Sequence, residues 1–282
     1  MTAELALLTL VRAHLAASIA ILVVMAARGP ARRLLGSEFT YGLWMLAPTA
    51  AVASLFPTLA EFRGEPAPAE HVSALLGVDL PSAGFSLALW GAGAAATAAL
   101  FAAAELRFRR LAARGLAGPA VMGLCWPRVV VPADYEARFD GAERRFIRQH
   151  ERAHIARRDP QANAFIAAMQ VLGWFNPLIH LAAGAARLDQ EIACDAAVVD
   201  RRPAIRRPYA ATLLKAHLSG PRSVLACAWA AAARHPLETR ILMLNRPSPS
   251  LAQYLMRAGT VLACTVATAV AVWALAPQSP PL

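Results

Sequence analysis

The chain has 282 residues, 57% of them hydrophobic and only 16% charged, with a mean hydropathy of +0.44. A soluble domain carries roughly 25% charged residues, so the composition excludes an ordinary soluble domain and reads as a mainly α-helical, polytopic membrane protein. The net charge of +10 follows the apolar segments rather than any nucleic-acid-binding motif, which points to anionic membrane lipid and to no direct contact with nucleic acid.

Four apolar stretches approach the roughly 20 residues that cross a bilayer: residues 5–27, 40–60, 80–104 and 259–277. The first carries Arg12 and His14, read either as groups snorkelling to the interface or as functional intramembrane polar groups. The amino end has no basic region before the first span, so this is a signal-anchor pattern rather than a cleaved leader. Arginines set the orientation. Arg28, Arg32 and Arg33 follow the first span, and Arg107, Arg109, Arg110 and Arg114 follow the third. After the second comes only Arg63, among Glu61, Glu65, Glu70 and Asp79. The expected organisation is three transmembrane helices over 1–105, a cytoplasmic domain over 106–257, and a fourth transmembrane helix with a short outer tail over 258–282. Both termini then lie outside the inner (cytoplasmic) membrane.

Within 106–257, "DGAERRFIRQHERAHIARRDP" reads as one helix, capped by Asp140 with Glu143 three residues on, and ended by Pro160. Before it, "PRVVVPAD" is a short β-branched run bracketed by Pro127 and Pro132, which predicts one strand. Further helices are expected over 182–199, 207–218 and 236–245. Four cysteines, Cys125, Cys194, Cys227 and Cys264, have no CxxC spacing and make no disulfide framework.

The chemistry concentrates in "HERAHIARRD", residues 150–159. Positions i and i+4 share a helix face, so His150 and His154 can both point a ring nitrogen at one ion. Glu151 sits on the adjoining edge, within reach of a water on that ion, as a general base requires. Catalytic Zn2+ takes three protein ligands and one open position. Glu191 in "RLDQEIACDAAVVD" is the candidate third ligand, while Asp195, one turn on, and Asp159 are candidates to orient the ligating histidines. The competing reading makes Asp189, Glu191 and Asp195 a solvated acidic face. Tyr209, His180 and His217 are candidate oxyanion stabilisers, with Tyr209 equally a packing residue. Cys194 has no base beside it and is not a nucleophile.

"HERAHIARRD", "WFNPLIH", "EIACDAAVV" and "LETRIL", preceded by "GLCWPRVVVP", together resemble the BlaR/MecR-type membrane metallopeptidases, the beta-lactam-sensing signal transducers. The resemblance covers about residues 95–245. It implies a gluzincin-type domain with His150, His154 and Glu191 on zinc, Glu151 as base and Asp195 in support. It also implies a cytosolic protein substrate, a transcriptional repressor of winged-helix type. The transducers carry a penicillin-binding sensor domain for which 282 residues leave no room, so the resemblance is to the peptidase part. The alternative is a non-enzymatic signalling scaffold with a structural zinc. Homo-oligomerisation is left open.

One spatial demand follows. Residues 161–186 contain no charged side chain before Arg187, and a straight 26-residue helix would be ~39 Å long at about 1.5 Å per residue. That would put His154 and Glu191 on opposite sides of the membrane. Asn176-Pro177 can break it, giving two helices, 161–175 and 178–199, folded back on each other. Trp174 and Phe175 would anchor the turn at the membrane, or lie in a buried core.

Overall fold

The computed structural model describes residues 3–56, 83–200, 202–218, 236–245 and 250–274. The fold is mostly helical. Helix α1 spans Ala3–Leu34, α2 Ser37–Gly42, a 3-10 turn Leu43–Met45, α3 Leu46–Ala53 and α4 Ala83–Ala113. Strands β1 (Ala120–Met122) and β2 (Arg128–Val130) follow, then α5 (Tyr135–Arg138), α6 (Gly141–Ala156), α7 (Asp159–Leu172) and α8 (Pro177–Val199). A 3-10 turn at Pro203–Ile205 leads to α9 (Arg206–Leu218), α10 (Pro236–Met243) and α11 (Leu251–Ala274).

Three of these helices are long and apolar enough to cross a membrane: Leu5–Leu34, Ala83–Ala113 and Leu255–Trp273. The expected span over 40–60 is instead built from α2, the 3-10 turn and α3, which end at Ala53; residues 57–60 lie outside the described residues, as do the outer loop and the carboxyl tail. Helix α1 runs past the expected boundary and carries Arg28, Arg32 and Arg33 in its last turns.

The predicted strand is β2, paired antiparallel with β1 through Ala120↔Val130, Val121↔Val129 and Met122↔Arg128. Three-residue β1 is too short to leave an alternation in the sequence, so the pairing was not foreseen. The HERAH helix starts as predicted: Asp140 accepts from the Ala142 and Glu143 amides, and Glu143 reaches back to the Asp140 amide, a capping box. It ends earlier than predicted. Arg158 adopts the left-handed conformation (φ 59) and reverses the chain at the end of α6. Pro160 therefore sits in the first turn of α7, where a missing N–H costs nothing.

The break at Asn176-Pro177 is present. The Asn176 side chain caps α8 by accepting from the Leu178 amide at 3.0 Å, so α7 and α8 form a helical hairpin. Its tip packs between two membrane-length helices. Asn176 Nδ2 donates to Ser18 Oγ of α1 at 2.9 Å, and the His14 and Phe175 rings lie 4.8 Å apart. On α4, Trp174 Nε1 donates to the Trp90 carbonyl at 3.1 Å and Trp90 Nε1 to the Leu172 carbonyl at 2.8 Å. A Cβ on Gly93 would overlap the Trp174 indole, so glycine there lets the ring lie on the α4 backbone.

Helix α8 belongs to two cores. Ile179, Ala182 and Ala186 on its first half pack with Ile21 and Val24 of α1 and with Phe39, Trp44 and Ala47 of α2–α3. Val198 and Val199 at its end pack with Tyr209 and Leu244.

Candidate metal centre

Helices α6 and α8 bring the predicted ligands together. His150 Nε2 and His154 Nε2 are 3.1 Å apart. Glu191 Oε2 lies 3.3 Å from His150 Nε2, and Glu191 Oε1 3.5 Å from His154 Nε2. Bonds of about 2.0–2.1 Å in a tetrahedral zinc site place neighbouring ligand atoms about 3.3 Å apart, so this trio already has the spacing that a tetrahedral ion requires.

The hydrogen-bond partners of the two rings favour the proton on Nδ1 of each. His154 Nδ1 donates to Asp159 Oδ2 at 2.8 Å. His150 Nδ1 faces the Tyr209 hydroxyl at 3.0 Å and Asp195 Oδ1 at 3.2 Å. With the protons on Nδ1, both Nε2 atoms are left as acceptors 3.1 Å apart beside the Glu191 carboxylate, a donor set that could hold a metal ion. His150, Glu151 and His154 are buried, whereas 35% of the Glu191 side chain stays exposed.

Electrostatics keep the carboxylates ionised as a metal site needs; burial alone would lower the His150 pKa, but Asp195 and Glu191 push it up to about 10, so a metal would have to displace that proton. Burial alone would raise the Glu191 pKa; Arg240 and the two histidines outweigh it and keep its carboxyl well below the usual carboxylate range. Burial would likewise raise Asp195, but Arg240 and His150 bring it down to about 2. Glu151 goes the other way: its burial outweighs the pull of His150 and His154 and raises it, the direction expected of a general base.

Asp159 and Asp195 therefore stand behind the two histidines, one each. The acidic-face reading is overturned: Asp189 and Asp195 are each 1% exposed. Contrary to the sequence reading, Cys194 does have a base beside it, His154 Nδ1 at 3.2 Å, but Sγ donates to Asp159 Oδ2 at 3.2 Å and burial with Asp159 nearby raises its thiol pKa strongly, so it is a buried donor. Tyr209 is buried on the Nδ1 side of His150 and donates to Asp195 Oδ1 at 2.8 Å, on the opposite side of the imidazole from Nε2. His180 bonds Gln170 and the Trp174 carbonyl at the hairpin tip, about 16 Å along α8 from Glu191 at 1.5 Å per residue. The His217 side chain lies outside the described residues.

Arg240 of α10 is the residue that sequence reasoning missed. Its Nε and Nη2 donate to the two Asp195 oxygens at 2.7 and 2.8 Å, and Nη1 lies 3.0 Å from Glu191 Oε2. One planar guanidinium thus braces one candidate ligand, Glu191, and the carboxylate behind another, His150. The only signal for it is its place in "LETRIL".

Fold and site define a helical membrane protein with a candidate metal centre on two crossing helices. The family model described as BlaR1 peptidase M56 matches residues 8–79 and 110–244, more than half of the chain. The chain belongs to this metallopeptidase family. Among curated proteins, Regulatory protein BlaR1 of Bacillus licheniformis is 32% identical over 81 residues, which cover 29% of this chain and 13% of that relative.

Proposed function

We propose that the chain is an integral-membrane zinc endopeptidase of gluzincin type that cleaves a cytosolic protein, a winged-helix transcriptional repressor, in transmembrane signalling. The observation that carries this reading is the 3.1–3.5 Å triangle of His150, His154 and Glu191, with Glu151 buried beside it. A purely structural zinc site has no use for that glutamate.

Zinc bound by the three side chains would supply a polarised water and a Lewis acid for the scissile carbonyl. Glu151 takes the proton of the attacking water on its carboxylate and returns it to the leaving amine. Asp159 and Asp195 keep His154 and His150 as Nδ1–H tautomers. Arg240 holds Glu191 ionised, and Tyr209 fixes His150 from behind. Strand β2 offers an extended substrate main-chain pairing.

The proposed topology keeps four spans, both termini outside and the 106–257 domain on the cytoplasmic side of the inner membrane. Its support is internal. The hairpin tip meets α1 at His14 and Ser18, near mid-helix, whereas α8 meets α1 again at Arg28 on the zinc side. The hairpin then dips into the bilayer from the inner face and returns, rather than crossing. Zinc content and cleavage of casein or of a repressor, wild type against Glu151→Gln, test the reading. Full zinc occupancy with cleavage reduced on the order of 10²–10⁴-fold is expected; equal cleavage by the variant refutes the assignment of the base.

A further inference from the structure

Glu191 and Asp189 lie two residues apart on α8, about 200° around a helix of 3.6 residues per turn, and so on opposite faces. Glu191 faces the histidines. Asp189 faces the amino-terminal helices and is fully buried there. Arg28 Nε donates to its Oδ2 at 3.0 Å and Trp44 Nε1 to the same oxygen at 2.8 Å. Arg32 Nε stands 2.8 Å from Oδ1, an ion pair off the hydrogen-bond line. Arg28 is itself pinned: Nη2 donates to the Ala185 carbonyl at 3.0 Å, and its guanidinium lies over the Trp44 ring at 5.8 Å.

A buried carboxylate is tolerated only with partners of this kind, and none of these partners belongs to the metal centre. A second link runs in parallel. Gln190 Nε2 donates to the Tyr41 hydroxyl of α2 at 2.9 Å, and that hydroxyl lies 3.5 Å from Asp159 Oδ1, whose other oxygen holds His154. The membrane-side helices therefore grip α8 immediately beside its ligand.

We propose that Arg28, Arg32 and Trp44, through Asp189, are positioning residues that set the rotation of α8 and thereby the placement of Glu191 against the paired histidines. The inference rests on Glu191 being a zinc ligand, as proposed above. Releasing the clamp lets α8 turn or slide, and a carboxylate held at 3.3–3.5 Å from two imidazoles has no slack for that.

The test is zinc affinity of the full-length protein in detergent or nanodiscs, by competition with a chromogenic chelator, alongside cleavage kinetics. Asp189→Asn, which keeps the shape and removes the charge, is expected to raise the zinc Kd about 10–100-fold, the range for loss of a supporting partner, and to lower kcat with KM unchanged. Arg28→Gln with Arg32→Gln gives the same loss, and adding Asp189→Asn to that pair adds little, because all three act through one clamp. Trp44→Phe, which removes one N–H and keeps the ring, gives a smaller loss in the same direction and carries the test if Asp189→Asn does not fold. A zinc Kd within twofold of wild type for both Asp189→Asn and Trp44→Phe overturns the proposal, as do losses that multiply in the combined variant. If the wild type binds zinc and cuts nothing, the protease reading fails while the affinity series still decides the positioning role. If the wild type cuts and the variants bind zinc as it does, the positioning role fails alone.

Discussion

His150 Nε2 and Glu191 Oε2 lie 3.3 Å apart although all of α7 and the first part of α8 lie between them in the chain. The contact exists because α7 and α8 fold back at Asn176-Pro177, and because the hairpin tip is held between α1 and α4.

If that contact marks a metal ligand, Glu191→Ala removes one of three donors. Zinc affinity should fall by more than the ~10–100-fold that losing a supporting partner costs, with the protein still folded. Metal analysis after dialysis against a weak chelator measures it; unchanged stoichiometry takes Glu191 out of the coordination sphere.

Arg240 is half-buried and pairs with the fully buried Asp195 as well as with Glu191, so Arg240→Gln should act twice. Leaving a buried charge without its partner costs about 3–5 kcal/mol, seen as a lower melting temperature. Zinc affinity should also drop, because Glu191 and Asp195 lose the brace that orients them. Arg240→Lys should restore part of the stability and less of the affinity, since an ammonium cannot span both Asp195 oxygens. Thermal melts and chelator competition on the same samples separate the two effects.

Tyr209 supports His150 from its Nδ1 side. Tyr209→Phe should weaken zinc binding modestly and lower kcat by less than the roughly 10²–10³-fold that loss of an oxyanion-hole donor costs. A kcat loss within that range at full zinc occupancy would place the hydroxyl on the reacting carbonyl instead.

Gly91 and Gly93 of α4 make a matched pair. A Cβ on Gly93 meets the Trp174 indole, while one on Gly91 meets nothing within 4 Å. Gly93→Ala should displace the hairpin tip, lower the melting temperature and weaken zinc binding from a distance. Gly91→Ala should be neutral or slightly stabilising, as removal of a helical glycine is. Equal behaviour of the two variants would show that the Trp174 contact does not hold the hairpin.

Much of the metal centre was legible in the residues. HERAH on a capped helix puts two imidazoles on one face whatever else the chain does, because helical periodicity is local. Asn-Pro inside an uncharged run announces the break for the same reason. The helices over 182–199, 207–218 and 236–245 match α8, α9 and α10 closely. The end of α6 was misplaced because Pro160 suits a helix start as well as a stop, and the left-handed Arg158 has no sequence signature.

The sequence by itself determined the membrane character, the paired histidines with their glutamate, and the acidic segment that must return to them. Tertiary structure decided which acidic side chains face the paired histidines and which face the membrane-length helices. Asp189 and Glu191 look equivalent in the chain, yet packing α8 between two cores sends one to Arg28 and the other to His150. It also decided the part played by Arg240, a long-range ion pair that no local pattern encodes, because which charges its guanidinium meets depends on how distant helices dock.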